Sequence, residues 1–303
     1  MPNLATGAAF TFTEALARRA LTQAGRRASL PAEPAELIRI GSNAVFRIGE
    51  GLIARVAPPS ASLANAQKQI RVARWLKDAG YPATRAVDIE QPIEADGCVI
   101  TFWESVAPGT TYAPIDDVAR LIRQLHELPT LADLDLPEIQ PFGPIDGDLP
   151  AFDGLPHEEA DFLRGRIKWA RATFPTLPFA LPRGVIHGDA NVGNVLVDLS
   201  GRPVLIDLDS FSTGPREWDL IQTALFAKRL GWHTWAEYEE FVRIYGYDLT
   251  EWSAFGELAD MREVAMTSWL SRRATASEST RVEAVKRIRD IRDGEKRHGW
   301  GAN

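Results

Sequence analysis

Two short apolar runs, Val185-Ile186 and Val195-Leu196-Val197, enclose a segment that is almost entirely small or polar: His187-Gly188-Asp189-Ala190-Asn191-Val192-Gly193-Asn194. Such a stretch predicts two buried strands that present a polar loop, and desolvation makes that placement costly for an ionisable side chain unless it is used. A third apolar run, Val204-Leu205-Ile206, ends on Asp207, thirteen residues after Asn194, and Asp209 lies two further on. Any fold open to this chain must hold these apolar segments inside while leaving the polar ends usable.

The rest of the chain supplies the frame. Thr11 with Glu14 resembles a capping box, opening a helix that runs to about Arg27 with Leu16, Ala20 and Ala24 at helical spacing. Residues 35–40, 44–48 and 52–56 read as three strands, the last two joined by Gly49-Glu50-Gly51, a tight-turn signal. The spacing predicts a helix over 64–79, stopped by Gly80, and further strands over 86–89 and 98–103. Beyond Val106-Ala107-Pro108-Gly109 the pattern turns helical: 115–127, 156–174 and most of 216–296. Residues 133–150, rich in Pro, Gly and acids, suit a surface loop or a lid. The expected class is α+β, with a small antiparallel sheet and one long helix in 1–105 and a larger, mainly α-helical part in 106–303.

Composition excludes several classes. No apolar run approaches the roughly 18 to 20 residues that span a bilayer, residues 1–10 lack the features of a secretory signal, and the single cysteine, Cys98, has no internal disulfide partner. The expectation is a cytoplasmic protein with no membrane partner. A net charge of −7 argues against nucleic acid, which needs a clustered basic surface. Residues 1–105 carry 12 basic and 10 acidic side chains against 22 and 31 in the remainder, so the acidity sits in the second part. It reads either as solubility or as a field that concentrates a cationic substrate.

Asp189 and Asn194 are five positions apart. That is the Asp-x-x-x-x-Asn spacing with which kinases place a base beside the acceptor hydroxyl and an amide oxygen on Mg2+, and a carboxylate such as Asp207 after a strand can hold the metal that bridges the ATP phosphates. Together with Gly214-Pro215 and Asp219-Leu220, these segments resemble the aminoglycoside phosphotransferase and choline kinase group, whose fold is similar to the bilobal fold of protein kinases. The resemblance covers most of the chain and implies ATP and Mg2+ as cofactors. It makes 1–105 a nucleotide-covering lobe and 106–303 the lobe of the catalytic loop, metal and acceptor.

By the same resemblance, Asp189 orients and deprotonates the acceptor hydroxyl, His187 braces the catalytic loop, and Asn194 and Asp207 ligate the metal. Asp209 either touches a second metal or is a solvated carboxylate, and Asp219 caps the loop backbone. In the first part, Ser42 and Asn43 lie where the family covers the nucleotide, and Arg55 stands where kinases carry a lysine for the α and β phosphates. The usual glutamate partner of that lysine is replaced, in the expected register, by Gln69, so either Arg55 is oriented differently or another acid, such as Glu90, assists. The adenine is expected along the backbone of Trp103, Glu104, Ser105 and Val106, with Phe102 in the core.

For the acceptor, the family's use of carboxylates against ammonium groups points to the acidic loop (Asp133, Asp135, Asp146, Asp148), to Glu217, and to Asp260 and Glu263. Trp232, Trp235, Tyr238 and Trp252 read either as a stacking surface or as core. The Arg-rich end, with Val282, Val285 and Ile288 at helical spacing, reads as a packing helix. The leading expectation is a kinase of an aminoglycoside or related antibiotic. A kinase of an amino sugar, a choline-like compound or another metabolite, and a weakened kinase that only binds nucleotide, are the alternatives. A protein kinase would need more than the twelve positions between Asp207 and Asp219 for its activation segment, and a metal-dependent hydrolase would need a His pair that the sequence lacks.

Overall fold

A computed structural model of the chain describes residues 12–129 and 134–301. The expectations placed on Thr11, on residues 1–10 and on Asp133 lie outside the described residues. Two compact units divide the chain; one runs to Tyr112 and takes in Val195–Asp209, and the other comprises Ala113–Asn194 and the chain from Ser210 on. The division thus falls at 112/113 where 105/106 was expected, and the segment carrying Asp207 and Asp209 belongs with the first unit.

In the first unit, helix α1 (Glu14–Ala28) is capped by Thr13, whose Oγ1 accepts from Leu16 N at 3.3 Å, two residues later than the cap expected at Thr11. Strands β1 (Ala35–Ile40), β2 (Ala44–Ile48), β3 (Leu52–Ala57), β4 (Ile93–Ala95) and β5 (Cys98–Glu104) form an antiparallel five-stranded sheet in the order β1-β2-β3-β5-β4. Period-two alternation sends Phe46, Ile48, Ala54, Val56, Ile100 and Phe102 to one face, where they share a core with Leu16, Ala20, Leu21 and Ala24 of α1. Burying side chains of this size stabilises by about 1.5–3 kcal/mol each.

Helix α2 (Leu63–Asp78), capped by Ser62, buries Ile70, Val72, Ala73 and Leu76 and, unusually, Lys68 and Gln69. The strand expected over 86–89 does not form: a single bridge, Ala86 to Trp103, is followed by bends at 88–90. The sheet edge is supplied instead by β4, which is only three residues long and lies between Pro92 and the turn at Asp96-Gly97. A hairpin of β7 (Val195–Val197) and β8 (Pro203–Leu205) completes the unit, tied in by Thr84 N to Leu205 O at 2.8 Å and Val197 N to Thr111 O at 2.8 Å.

The second unit is helical around one small ladder, β6 (Gly184–Ile186) paired with β9 (Ser212–Gly214). Its helices are α3 (Ile115–Glu127), α4 (His157–Thr173), α5 (Glu217–Leu225), α6 (Trp235–Tyr245), α7 (Phe255–Ser271) and α8 (Glu278–Asp293). A π-helical segment, Phe226–Leu230, continues α5 and stops at Gly231, where φ is 68°. On α8 the packing residues are Ala284, Arg287 and Ile288, while Val282, expected on that face, is 53% exposed.

The described part of the loop expected as a lid, 134–150, is irregular but pinned. Arg171 of α4 donates to Phe142 O at 2.6 Å, Gly147 O at 2.6 Å and Asp148 O at 2.9 Å. No described helix is long and apolar enough to cross a membrane.

Candidate active site

In the second unit, β6 delivers the chain to His187, which is fully buried, and to Gly188, whose φ of 83° and whose contact with the Ser210 carbonyl leave no room for a Cβ. Helix α5 fixes this turn from below. Its third residue, Asp219, accepts His187 N and Gly188 N at 2.7 Å each and meets His126 Nε2 of α3 at 3.1 Å. Burial alone would raise the Asp219 pKa, but the His126 hydrogen bond, the nearby imidazoles and the His187 amide together hold it below the usual carboxylate value. Trp218 Nε1 donates to Gly188 O at 3.0 Å. The expected capping role of Asp219 is therefore the observed one.

The turn lifts Asp189 outward, with 44% of its side chain exposed. Its Oδ2 accepts from Asn194 Nδ2 at 3.1 Å, and the same amide donates to Asp189 O at 2.8 Å. Asn191 Nδ2 donates to Asp189 O as well, at 2.9 Å, and Asn191 Oδ1 accepts from Gly193 N at 2.8 Å. Asp189 N donates to His187 Nδ1 at 3.3 Å. On the other carboxylate oxygen, Oδ1, sits a residue that the sequence reading missed: Arg262 of α7, whose Nη2 donates at 2.5 Å.

In the first unit the charged group is Arg55 of β3, with Asp207, Asp209, Gln69 and Lys68. Arg55 Nη2 donates to Asp207 Oδ1 at 3.2 Å and Asp209 Oδ2 at 3.0 Å, and Nη1 donates to Gln69 Oε1 at 3.3 Å. Gln69 is thus the α2 partner, as the register predicted, but the acids on Arg55 are Asp207 and Asp209 and not Glu90. The Asn43 carboxamide, with its oxygen toward Arg55, accepts from Nη2 at 3.0 Å and donates to the main-chain oxygen of the exposed Ser42 at 3.1 Å.

Lys68 Nζ donates to Asp209 O at 2.7 Å, and burial pushes its pKa down to about 8 against the pull of Asp209. Burial, together with the charge of Asp207, pushes Asp209 up against the pull of Arg55 and Lys68. Asp207 itself adopts φ 63°, a left-handed backbone that costs on the order of 1 kcal/mol outside glycine.

Along the segment expected to meet a base, Trp103 is buried, and its Nε1 donates to Thr101 Oγ1 at 2.8 Å. Glu104 N donates to Arg85 O at 2.9 Å and Ser105 N to Gly51 O at 2.8 Å, so both amides are spent within the unit. Val106 has neither amide nor carbonyl engaged among the described residues. A cavity of about 590 Å3 between α1 and the start of β1, lined by Arg18, Thr22 and Glu33 among others, contains none of the residues of this group.

Of the expected acceptor carboxylates outside the acidic loop, Glu217, Asp260 and Glu263, two are interior. Glu217 is fully buried and its Oε1 accepts from Ala180 N at 2.6 Å and Leu181 N at 2.7 Å, so it braces that turn. Glu263 is 1% exposed and lies between Arg229 at 3.0 Å and Arg297 at 3.1 Å. Asp260 is 42% exposed and paired with Arg229 at 2.7 Å. Tyr238 and Trp252 are core residues, whereas Trp235 is 46% exposed. Glu263 meets arginines and Glu217 backbone amides, and no local sequence pattern announces either.

The donors present suit a hard divalent cation. Asp209 Oδ1 is buried without a hydrogen-bond partner among the described residues, and the bonds of Asn194 Nδ2 to Asp189 leave its Oδ1 as a ligand atom. Among the described residues no group of three or more His, Cys, Asp or Glu is arranged to hold a metal.

A family model described as the phosphotransferase enzyme family matches residues 36–258. A search of the curated proteins found no match. Among solved structures, the chain is similar to amicoumacin kinase hAmiN in complex with AMP-PNP, Ca2+ and Ami (13% identity, 89% of this chain and 91% of that one, TM-score 0.66). It is also similar to a microcompartment-associated aminopropanol kinase (15%, 89% and 93%, TM-score 0.67). A third is a choline/ethanolamine kinase family protein from Mesorhizobium loti (21%, 92% and 93%, TM-score 0.58). At these identities the likeness is one of fold.

Proposed function

Because the chain belongs to the phosphotransferase enzyme family, we propose that it transfers the γ-phosphoryl of ATP, with Mg2+, to a hydroxyl of a small molecule in the cytoplasm, with Asp189 as the base. One observation carries this reading. Asp189 is an accessible carboxylate on a turn fixed from beneath, with each of its oxygens held by a side chain and a lone pair left on each. An acceptor O–H donating to it is oriented for its oxygen to attack phosphorus as the proton passes to the carboxylate. Bound Mg2+, held by Asn194, Asp207 and Asp209, would neutralise charge on the phosphate oxygens. Arg55 and Lys68 add cations for the nucleotide, and the Val106 backbone takes the base edge. His187 and Asp219 keep the turn in place.

For the acceptor, we take an antibiotic with amino and hydroxyl groups as the first reading, with the exposed Asp260 and the acids of the 134–150 loop as its contacts. The second is a metabolic kinase of a small amino alcohol. The burial of Glu217 and Glu263 favours it, since it leaves fewer free carboxylates for a polycation. A protein that only binds nucleotide would have no use for a base mounted as Asp189 is.

The test is ADP release with Mg-ATP across aminoglycosides, other antibiotics, amino alcohols, choline and homoserine, with mass spectrometry of the products. A single acceptor class gaining one phosphoryl group supports the reading. ATP bound with every acceptor unchanged counts against it.

A further inference from the structure

We infer that Arg262 is a positioning residue for Asp189, a clamp that sets the direction of the base; this rests on the reading of Asp189 above. The guanidinium is 7% exposed and donates through Nη2 to Asp189 Oδ1 at 2.5 Å and to Gln222 Oε1. It lies over the indole of Trp218 at 5.1 Å, and that indole also donates to Gly188 O. One aromatic side chain of α5 thus holds both the backbone of the turn and the cation that grips the carboxylate.

The mount is dedicated. The buried acid next to it on α7, Glu263, is taken by Arg229 and Arg297, and Asp189 is the one carboxylate that Arg262 engages among the described residues. A solvated aspartate samples several rotamers, and misplacing a reacting group by about 1 Å costs on the order of a hundredfold in rate. Here Arg262 holds Oδ1 and Asn194 holds Oδ2, so both carboxylate torsions are fixed before any acceptor arrives. The same pairing places a positive charge where an ammonium of the acceptor would otherwise meet the base.

The experiment compares wild type, Arg262→Lys, Arg262→Ala and Asp189→Asn on whichever acceptor gives the most ADP in the panel, water included, with folding checked by circular dichroism. Arg262→Ala is expected to lose at least about tenfold in kcat with the KM for Mg-ATP within about twofold, Arg262→Lys to retain more, and added guanidinium chloride to restore part of the Arg262→Ala rate alone. A folded Arg262→Ala with wild-type kcat, or a loss confined to KM and blind to guanidinium, overturns the inference. Asp189→Asn turning over like wild type overturns the proposed function instead, whatever Arg262 does.

Discussion

Gln69 accepts from Arg55 at 3.3 Å with a neutral amide, and the charge of the guanidinium is met by Asp207 and Asp209 instead. With Lys68 beside them, two cations already face two carboxylates in a largely buried cluster. Gln69→Glu would add a third carboxylate at a residue 7% exposed. We expect a loss of about 1–2 kcal/mol of stability, read as a lower urea midpoint at neutral pH without metal. A gain would mean that the cluster carries uncompensated positive charge.

Asp189→Asn keeps the shape of the side chain and removes its basicity. Turnover on an identified acceptor should fall by about 10²–10⁴-fold, as expected when a general base is lost. Arg262 is then left with a neutral acceptor, so unfolding free energy should drop by about 1–2 kcal/mol while the fold persists. Steady-state kinetics and denaturant unfolding on one preparation check both.

Asp219 links the site to pH. Its folded pKa is held below the unfolded value of about 3.9, so its contribution to stability is complete above that value and is lost as pH falls through the folded pKa. Asp219→Asn should therefore cost about 3 kcal/mol at neutral pH, and the gap to wild type should close as the pH is taken below about 4. A gap that stays constant down to acid would place the effect elsewhere.

Glu263→Gln separates a structural acid from one that binds the acceptor. It leaves Arg229 and Arg297 short of a buried partner and should cost about 3 kcal/mol of stability. The KM for the acceptor and turnover per folded molecule should not change. A raised acceptor KM at full stability would return Glu263 to the binding surface.

What was legible in the sequence follows the range of the interactions. The strands 35–40 and 44–48 and the helix 115–127 were predicted at their observed bounds, because period-two and helical patterns report burial directly. The polar turn at 187–194 was legible from the apolar runs that enclose it, and the cap at Asp219 only through the family resemblance. Strand β4 was missed because three residues carry too little periodicity, and 86–89 was read as a strand because its apolar residues pack on the sheet although the pairing goes no further than the bridge at Ala86 and the bond of Val87 N to Phe102 O. Arg262 lay beyond reach: its contact with Asp189 spans 73 residues, and its only trace is a charged pair, Arg262-Glu263, inside an apolar helix. For Glu217 and Glu263 the error was one of solvation, since a sequence shows an acid and not the arginine or amides that take it inward.

The Arg171 staple on 134–150 grips main-chain carbonyls only. Every amino acid offers the same carbonyl, so this grip does not depend on which side chains stand at 147 and 148, whereas Phe142 is itself buried against Phe174 and Trp218. The exposed positions of the stretch are therefore free to diversify at little cost to folding while α4 keeps Arg171 and the segment keeps its buried aromatic ring.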